Sequence, residues 1–148
     1  MKIKEDIQRY YDLWFSMESL YGTWAKNHGL TSNAVFVLTT IYDHPDTCTQ
    51  QLICKKNQLP KQTVNSILAD FEAKGYIKKT PDQKDRRSKI VLFTDAGKVY
   101  ADKILGEIYE IEATALTNMP SDERADMLDY WEKFLTLLQK IFHEKENE

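Results

Sequence analysis

Six cations stand within the short run KKTPDQKDRRSKIVLF, residues 78 to 93: Lys78, Lys79, Lys84, Arg86, Arg87 and Lys89. Ammonium and guanidinium groups at that density suit one task above others, the neutralisation of a polyanion such as a nucleic-acid backbone. The setting sharpens the point. The chain of 148 residues has a formal net charge of -3. Residues 55 to 89 nevertheless hold ten Lys and Arg against four Asp and Glu, a local +6, while the remainder holds ten against nineteen, or -9. A basic middle between acidic ends points to a polyanionic partner for the middle alone, with an ordinary solvated surface as the competing account.

Immediately upstream, PKQTVNSILADFEAKG spaces Val64, Ile67, Leu68 and Phe71 as the inward stripe of a helix. Turned outward are Lys61, Gln62, Thr63, Asn65, Ser66 and Asp70. Gln and Asn amides can bond adenine through a donor and an acceptor together, Thr offers thymine a methyl group, and Lys meets guanine or phosphate. A solvated helix face would carry similar residues, so the neighbouring elements decide between the two.

Other chemistries find less support. The sequence holds no nucleophile elbow, Gly-rich phosphate loop or clustered acid–base set, so neither catalysis nor a cofactor is expected. His28, His44 and His143 are scattered without HExxH-like spacing, which makes no metal site the expectation and a metal-responsive protein an alternative. Cys48 and Cys54 form neither a CxxC pair nor a disulfide framework, as suits a reducing compartment; a redox switch is the alternative to ordinary thiols. No run approaches the ~20 apolar residues of a membrane span, and MKIKEDIQRYY lacks the apolar core of a signal peptide. A soluble, cytoplasmic protein with no membrane partner is expected.

The elements that must position the basic run follow from periodicity. A helix is predicted from Lys4 to about Lys26, ended by Gly29, and a second from a Thr31 or Ser32 cap until Pro45. A short third helix begins near Thr47 to Thr49 and carries Leu52 and Ile53. After NQLP comes the fourth, with Pro60 in its first turn and Gly75 beyond its end. Short helix, tight turn and helix make a helix-turn-helix. YIKKT and KIVLF then read as two strands of a hairpin with PDQKDRRS at its tip, and a basic hairpin after a helix-turn-helix is a winged helix. Arg86 and Arg87 would lie along the backbone or enter the minor groove, whose negative potential attracts arginine. Asp85 is expected to accept a fork of bonds from the Arg87 guanidinium and hold it in one pose.

Two helices follow. The fifth runs from a Thr94 cap to about Leu116; the sixth starts at a Ser121 cap with Asp122 and Glu123 near its positive end. In the sixth, Met127, Leu128, Trp131, Phe134, Leu135, Leu138, Ile141 and Phe142 make a stripe wider than one small core needs, and two symmetric copies would bury it. Packing within one chain is the competing account. Tyr10, Tyr11, Trp14, Phe15, Tyr21, Trp24, Phe36 and Tyr42 give the first two helices a large aromatic supply, for which core and dimer packing is the simplest use.

The run LPKQTVNSILADFEAKGYI with DQKDRRSKIVLFTDAG resembles the MarR family of bacterial winged-helix regulators. The marks are the Thr-Val pair in the fourth helix, the Lys-Gly-Tyr-Ile at its end, the wing with Asp, two Arg and a small residue, and then Thr94 and Gly97. The resemblance implies a mainly α fold with a small β-hairpin wing, in which a winged helix-turn-helix (31–93) is flanked by N- and C-terminal dimerisation helices (1–30 and 94–148). It implies a homodimer on a palindromic operator in double-stranded DNA, with half-sites ~10 bp apart. A transcriptional regulator, a repressor above all, is the function implied, with a protein-interaction module as the alternative. Its minor-groove arginine falls on Arg87, its buttressing carboxylate on Asp85 and its helix contacts on Gln62, Thr63 and neighbours. The DNA-binding set is then Lys61, Gln62, Thr63, Asn65, Ser66, Lys84, Asp85, Arg86, Arg87 and Lys89. Ser66 departs from the arginine many members carry there. The resemblance also implies a small aromatic ligand between the dimerising and DNA-binding parts, for which Tyr11, Trp14, Tyr21 and Phe36 are the candidate lining.

Overall fold

The computed structural model describes residues 2–147, and its elements are α1 (Lys2–Asn27), α2 (Ser32–Asp43), α3 (Gln50–Asn57), α4 (Lys61–Ala73), β1 (Ile77–Pro81), β2 (Lys89–Phe93), α5 (Asp95–Thr117) and α6 (Ser121–Glu146). The chain is mainly helical, with one antiparallel hairpin between the fourth and fifth helices, as the sequence predicts. It divides into two compact units, Met1–Gly106 and Glu107–Glu148. Among the described residues no helix is long and apolar enough to cross a membrane.

Local chemistry sets the boundaries. Thr31 and Thr49 each turn a hydroxyl oxygen onto a backbone N–H three residues on, Ala34 and Leu52, both at 3.1 Å. These bonds satisfy donors that the first turns of α2 and α3 would otherwise leave orphaned. Gly29 and Gly75 take φ of +72° and +76°. The left-handed step lets the N–H of Leu30 reach back to Ala25 O at 2.9 Å and that of Tyr76 to Phe71 O at 2.9 Å, closing α1 and α4.

α1 starts two residues before the expected Lys4, and the boundaries at three prolines also differ from expectation. Pro60 and Pro120 are the caps of α4 and α6, and neither lies inside its helix. Their ψ angles of 147° and 142° are those of a residue entering a helix, and Ser121 is accordingly the first helical residue of α6, without a capping role. The first strand is also displaced by one residue from YIKKT, beginning at Ile77 and ending at Pro81. Pro81 pairs with Lys89, an end position where its missing N–H costs no ladder bond.

The core of the first unit is made by Val37, Leu38 and Ile41 of α2, Ile53 of α3, Val64, Leu68 and Phe71 of α4, Ile77 and Val91 of the hairpin, and Ala101 and Ile104 of α5. Polar pairs set the register between helices. Thr40, buried, donates to Phe36 O at 3.1 Å and accepts from Asn57 Nδ2 at 3.0 Å, which locks α2 to α3 without an orphaned group. The Cys48 carbonyl accepts from Val91 N at 2.7 Å, and Thr49 bridges to Ile90, so the lead-in to α3 is tied to β2. Tyr42 donates to Asp102 at 2.7 Å, and Lys98 lies 4.4 Å from the centre of the Tyr42 ring. Bonds from Lys98 and Tyr42 hold the Asp102 carboxyl below its ordinary range.

The start of α5 is fastened where α4 ends and β1 begins. Thr94 N donates to Tyr76 O at 3.0 Å, Thr94 Oγ1 donates to Gly75 O at 2.5 Å, and the same hydroxyl accepts from Gly97 N at 3.0 Å. Tyr76 and Tyr100 stack with centroids 4.2 Å apart and planes at 9°. Gly97 is needed here for clearance, because a Cβ at that position would fall 1.7 Å from Tyr76 O.

In the second unit, Arg124 Nη1 donates to Leu116 O at 3.2 Å, capping the end of α5 across the turn. No residue of α6 is buried. Trp131, Leu135, Ile141 and Phe142 stand 47–64% exposed. In the first unit α1 likewise leaves Ile3, Leu13, Phe15, Met17 and Leu20 uncovered.

Gly97→Ala is expected to lower stability by about 3 kcal/mol or more, since backbone must move to admit the methyl group. Gly106→Ala, at a helical site where an added Cβ meets nothing, is expected to raise it by up to ~1 kcal/mol. Thermal unfolding of both variants checks the contrast, and an unchanged midpoint for Gly97→Ala would contradict the packing described.

Candidate nucleic-acid interface

The fold turns the predicted reading face of α4 outward. Lys61, Gln62, Asn65 and Ser66 are exposed, and Thr63 is half-buried beside buried Val64. The position of α4 is fixed by its stripe of Val64, Leu68 and Phe71, and Ile67 is only half-buried at the edge of that stripe. The N-terminal turn of α4 meets the N-terminal turn of α3 through Gln50, whose Nε2 lies 3.5 Å from Lys61 O and bonds to Asn65 Oδ1.

Between these helices and the hairpin runs a cleft of about 660 Å³. Gln50, Gln51, Cys54 and Lys61 line it on the helical side; Lys79, Asp85, Arg87, Ser88, Lys89 and Val91 line it on the hairpin side. Of the residues singled out from sequence, Lys61, Asp85, Arg87 and Lys89 are thus brought together. Gln62, Asn65 and Ser66 lie along the exposed face of α4, and Lys84 and Arg86 on the exposed tip. Gln50, Gln51 and Lys79 were missing from the sequence-derived set. The capping Thr49 was the available signal, because it places the next two residues in the first turn of α3.

The electrostatics of the cleft favour an anion. Ion pairs form elsewhere, Lys74 with Asp70 at 2.9 Å, Lys98 with Asp102 at 2.5 Å and Lys140 with Glu144 at 3.9 Å. Among the described residues Lys61, Lys79, Arg87 and Lys89 are in none, so their charge is available to a ligand. The N-terminus of α4 adds its partial positive charge beside Lys61.

The two aspartates of the tip act on the backbone. Asp82 Oδ1 accepts from Lys84 N at 2.9 Å, and Asp85 Oδ1 accepts from Arg87 N at 3.0 Å. Each spans two residues, the reach of an Asx turn. Asp82 N donates to Ser88 O at 3.1 Å and Ser88 N to Asp85 O at 3.0 Å, closing the loop above the last ladder pair. The expected fork between Asp85 and the Arg87 guanidinium is therefore replaced by a bond to the Arg87 amide. A carboxylate two residues back reaches that N–H without ordering the long arginine side chain, and the guanidinium is in no ion pair among the described residues.

The four candidate effector residues do not gather at one place within the chain. Tyr21 and Phe36 meet with centroids 6.1 Å apart. Tyr11 stacks on Phe15 at 5.8 Å and Trp14 sets its edge to Tyr10 at 5.7 Å, an arrangement confined to α1. Ten residues of helix separate Tyr11 from Tyr21, about 15 Å along the axis.

The cysteines have unlike surroundings. Burial pushes the Cys48 thiol up to about 11, which keeps it protonated and a poor nucleophile at neutral pH. Cys54 is half-buried and faces the cleft. His28 and His44 each place Nδ1 near a carbonyl one turn back, Trp24 O at 2.8 Å and Thr40 O at 3.0 Å. No group of three metal-ligating side chains occurs among the described residues.

Residues 28–88 match the MarR family, a span that holds α2, α3, α4, β1 and the wing tip and ends before β2. The HTH-type transcriptional repressor NicR of Pseudomonas putida is 26% identical over 118 residues, 80% of this chain and 70% of that one. A MarR family regulator from Neisseria meningitidis shares the fold at a TM-score of 0.78 and 21% identity, covering 98% of this chain and 99% of that one. The MepR–DNA complex of S. aureus matches at a TM-score of 0.74 and 23% identity, covering 88% and 96%.

Asp85→Ala is expected to free the Arg87 amide and speed its hydrogen exchange several-fold, whereas Asp85→Asn, which keeps the acceptor, preserves slow exchange. Equal exchange in all three proteins would contradict the turn-forming role of Asp85.

Proposed function

We propose that this chain, a member of the MarR family through its winged helix, is a sequence-specific DNA-binding transcriptional regulator that acts as a homodimer on a palindromic operator. One observation carries the reading: a cleft between a helix face rich in Gln, Thr, Asn and Ser and a basic wing, with four cations of the cleft in no ion pair among the described residues. Groups that read base edges stand beside groups that neutralise phosphate, which is the division of labour a specific DNA-binding protein needs.

In this reading α4 enters the major groove with Gln62, Thr63, Asn65 and Ser66 toward the bases and Lys61 toward phosphate or guanine. The wing follows the backbone through Lys84, Arg86 and Lys89 and presents the Arg87 guanidinium to the minor groove, its amide fixed by Asp85. The homodimer is supported by the uncovered apolar faces of α1 and α6, which water disfavours and a symmetric partner would cover. The dimerising helices are then 1–30 and 94–148, around the reading unit 31–93. Repression is the sign supported by the similarity to the repressor NicR, and a DNA partner puts the regulator's work in the cytoplasm. A small aromatic molecule releases the operator by biasing the separation of the two reading helices, with the Tyr21–Phe36 pair as its first contact. The reading assigns the chain no reaction of its own.

Titration of a selected duplex at two salt concentrations tests the reading. Affinity is expected to fall steeply with salt, and Arg87→Ala is expected to weaken binding by about tenfold and lower the salt slope by about one per protomer, with the dimer intact by sedimentation. Gln62→Ala or Thr63→Ala is expected to change which sequences are preferred, by ~1–3 kcal/mol per lost contact. Salt-insensitive binding, or full affinity in Arg87→Ala, would contradict the reading and favour a winged helix that binds protein.

A further inference from the structure

We infer that the cleft between the helices and the hairpin holds the sugar–phosphate strand that divides the two grooves occupied by α4 and the wing, and that Lys79 of β1 is a phosphate-binding residue of that slot. The inference rests on the DNA-reading role of α4 and the wing.

The shape of a duplex requires a strand at that place. The major groove, about 12 Å wide, admits a helix, and the adjoining minor groove, about 6 Å wide, admits a side chain or a narrow tip. One sugar–phosphate strand separates the two. A protein with α4 in the first groove and Arg87 in the second therefore straddles that strand, and the space between its helices and its hairpin is the cleft of about 660 Å³. The charge of the cleft matches this occupant. Lys61 stands on the helical wall and Lys79, Arg87 and Lys89 on the hairpin wall, against the single carboxylate of Asp85. That carboxylate accepts from the Arg87 amide, and among the described residues none of the four cations is in an ion pair.

The hairpin register separates Lys79 from the lysine beside it. Successive residues of a strand point to opposite faces, and paired residues of an antiparallel ladder share one. Lys79 pairs with Val91 and Pro81 with Lys89, so Lys79, Val91 and Lys89 share the face that lines the cleft. Lys78 pairs with Leu92, and these two line the other face, beside Tyr42 and Lys98. Lys79 is half-buried, whereas Lys78 is exposed. A half-buried ammonium has lost part of its hydration, and with no carboxylate bonded to it a phosphate oxygen is the anion that fits.

Methylphosphonate linkages, which remove the charge of one phosphate at a time, test this on the enriched duplex, placed alike in both half-sites. The full chain is compared with Lys79→Gln, Lys79→Arg and Lys78→Gln, once circular dichroism and sedimentation show all four folded and dimeric alike. Glutamine keeps most of the apolar stem of lysine and removes its charge. The base position at which Gln62→Ala changes preference marks the major groove, and so identifies the strand between the grooves. At a phosphate of that strand the neutral linkage is expected to weaken the wild type at least about fivefold and Lys79→Gln less than about twofold, while Lys79→Arg and Lys78→Gln keep the wild-type loss. Lys79→Gln is also expected to lower the salt slope by about one per protomer. The full wild-type loss in Lys79→Gln at every phosphate would overturn the inference while leaving the regulator reading intact. So would the same reduced loss in Lys78→Gln, which would make the effect one of net charge alone, or a coupled phosphate outside that strand. A pool with no enriched duplex, or binding insensitive to salt, would instead overturn the regulator reading, and the inference with it.

Discussion

The Tyr76 carbonyl occupies the space where a side chain at residue 97 would have to be, and much of the first unit depends on that contact. Around it Thr94 bonds to Gly75 O, Tyr76 O and Gly97 N, so the end of α4, the base of the hairpin and the start of α5 share one hydrogen-bonded joint. Gly75 in the left-handed region makes the joint possible by reversing the chain directly after α4. The angle between α4 and the wing is set there, and with it the width of the cleft. The stacked Tyr76 and Tyr100 rings extend the joint along α5. A displacement of the start of α5 would therefore be felt at the end of α4 and at the base of the wing together.

Within that frame the charged residues divide by what they bond to. Acidic groups near the interface are spent on backbone amides, as at Asp82 and Asp85, or on lysines away from the cleft, as at Asp70. Among the described residues the cations of the cleft have no such partner, so they repel one another and remain hydrated. An aspartate that forms an Asx turn stiffens a wing tip without neutralising its arginine. This reconciles the acidic residues of DQKDRRS with their place in the basic middle of the chain, residues 55 to 89, whose local balance is +6.

Much of this was legible in the sequence because it is periodic or local. The stripe of α4, the Thr caps and the Gly75 stop each depend on a few neighbouring residues, and the structure has them, with Ile67 only half-buried at the edge of the stripe. The role of Asp85 was legible only in part. Sequence put the carboxylate beside Arg87, and backbone geometry chose the amide over the guanidinium. Gln50 was not legible at all, since its partners Lys61 and Asn65 belong to another helix and meet it only after packing. The aromatic residues of α1 show the same limit from the other side. Type and number suggested a pocket, but a rigid helix keeps Tyr11 and Tyr21 on separate turns. The excess apolar stripe of α6 was read from sequence, and in the structure none of its residues is fully buried.

The central claim is that two copies of this chain read one symmetric DNA sequence through α4 and the wing. Selection of duplexes from a random pool, followed by the stoichiometry of the complex on the enriched sequence, addresses it most directly. The account predicts an inverted repeat with half-sites ~10 bp apart, bound by two chains. An enriched sequence without two-fold symmetry, a complex containing a single chain, or no enrichment at all would contradict it.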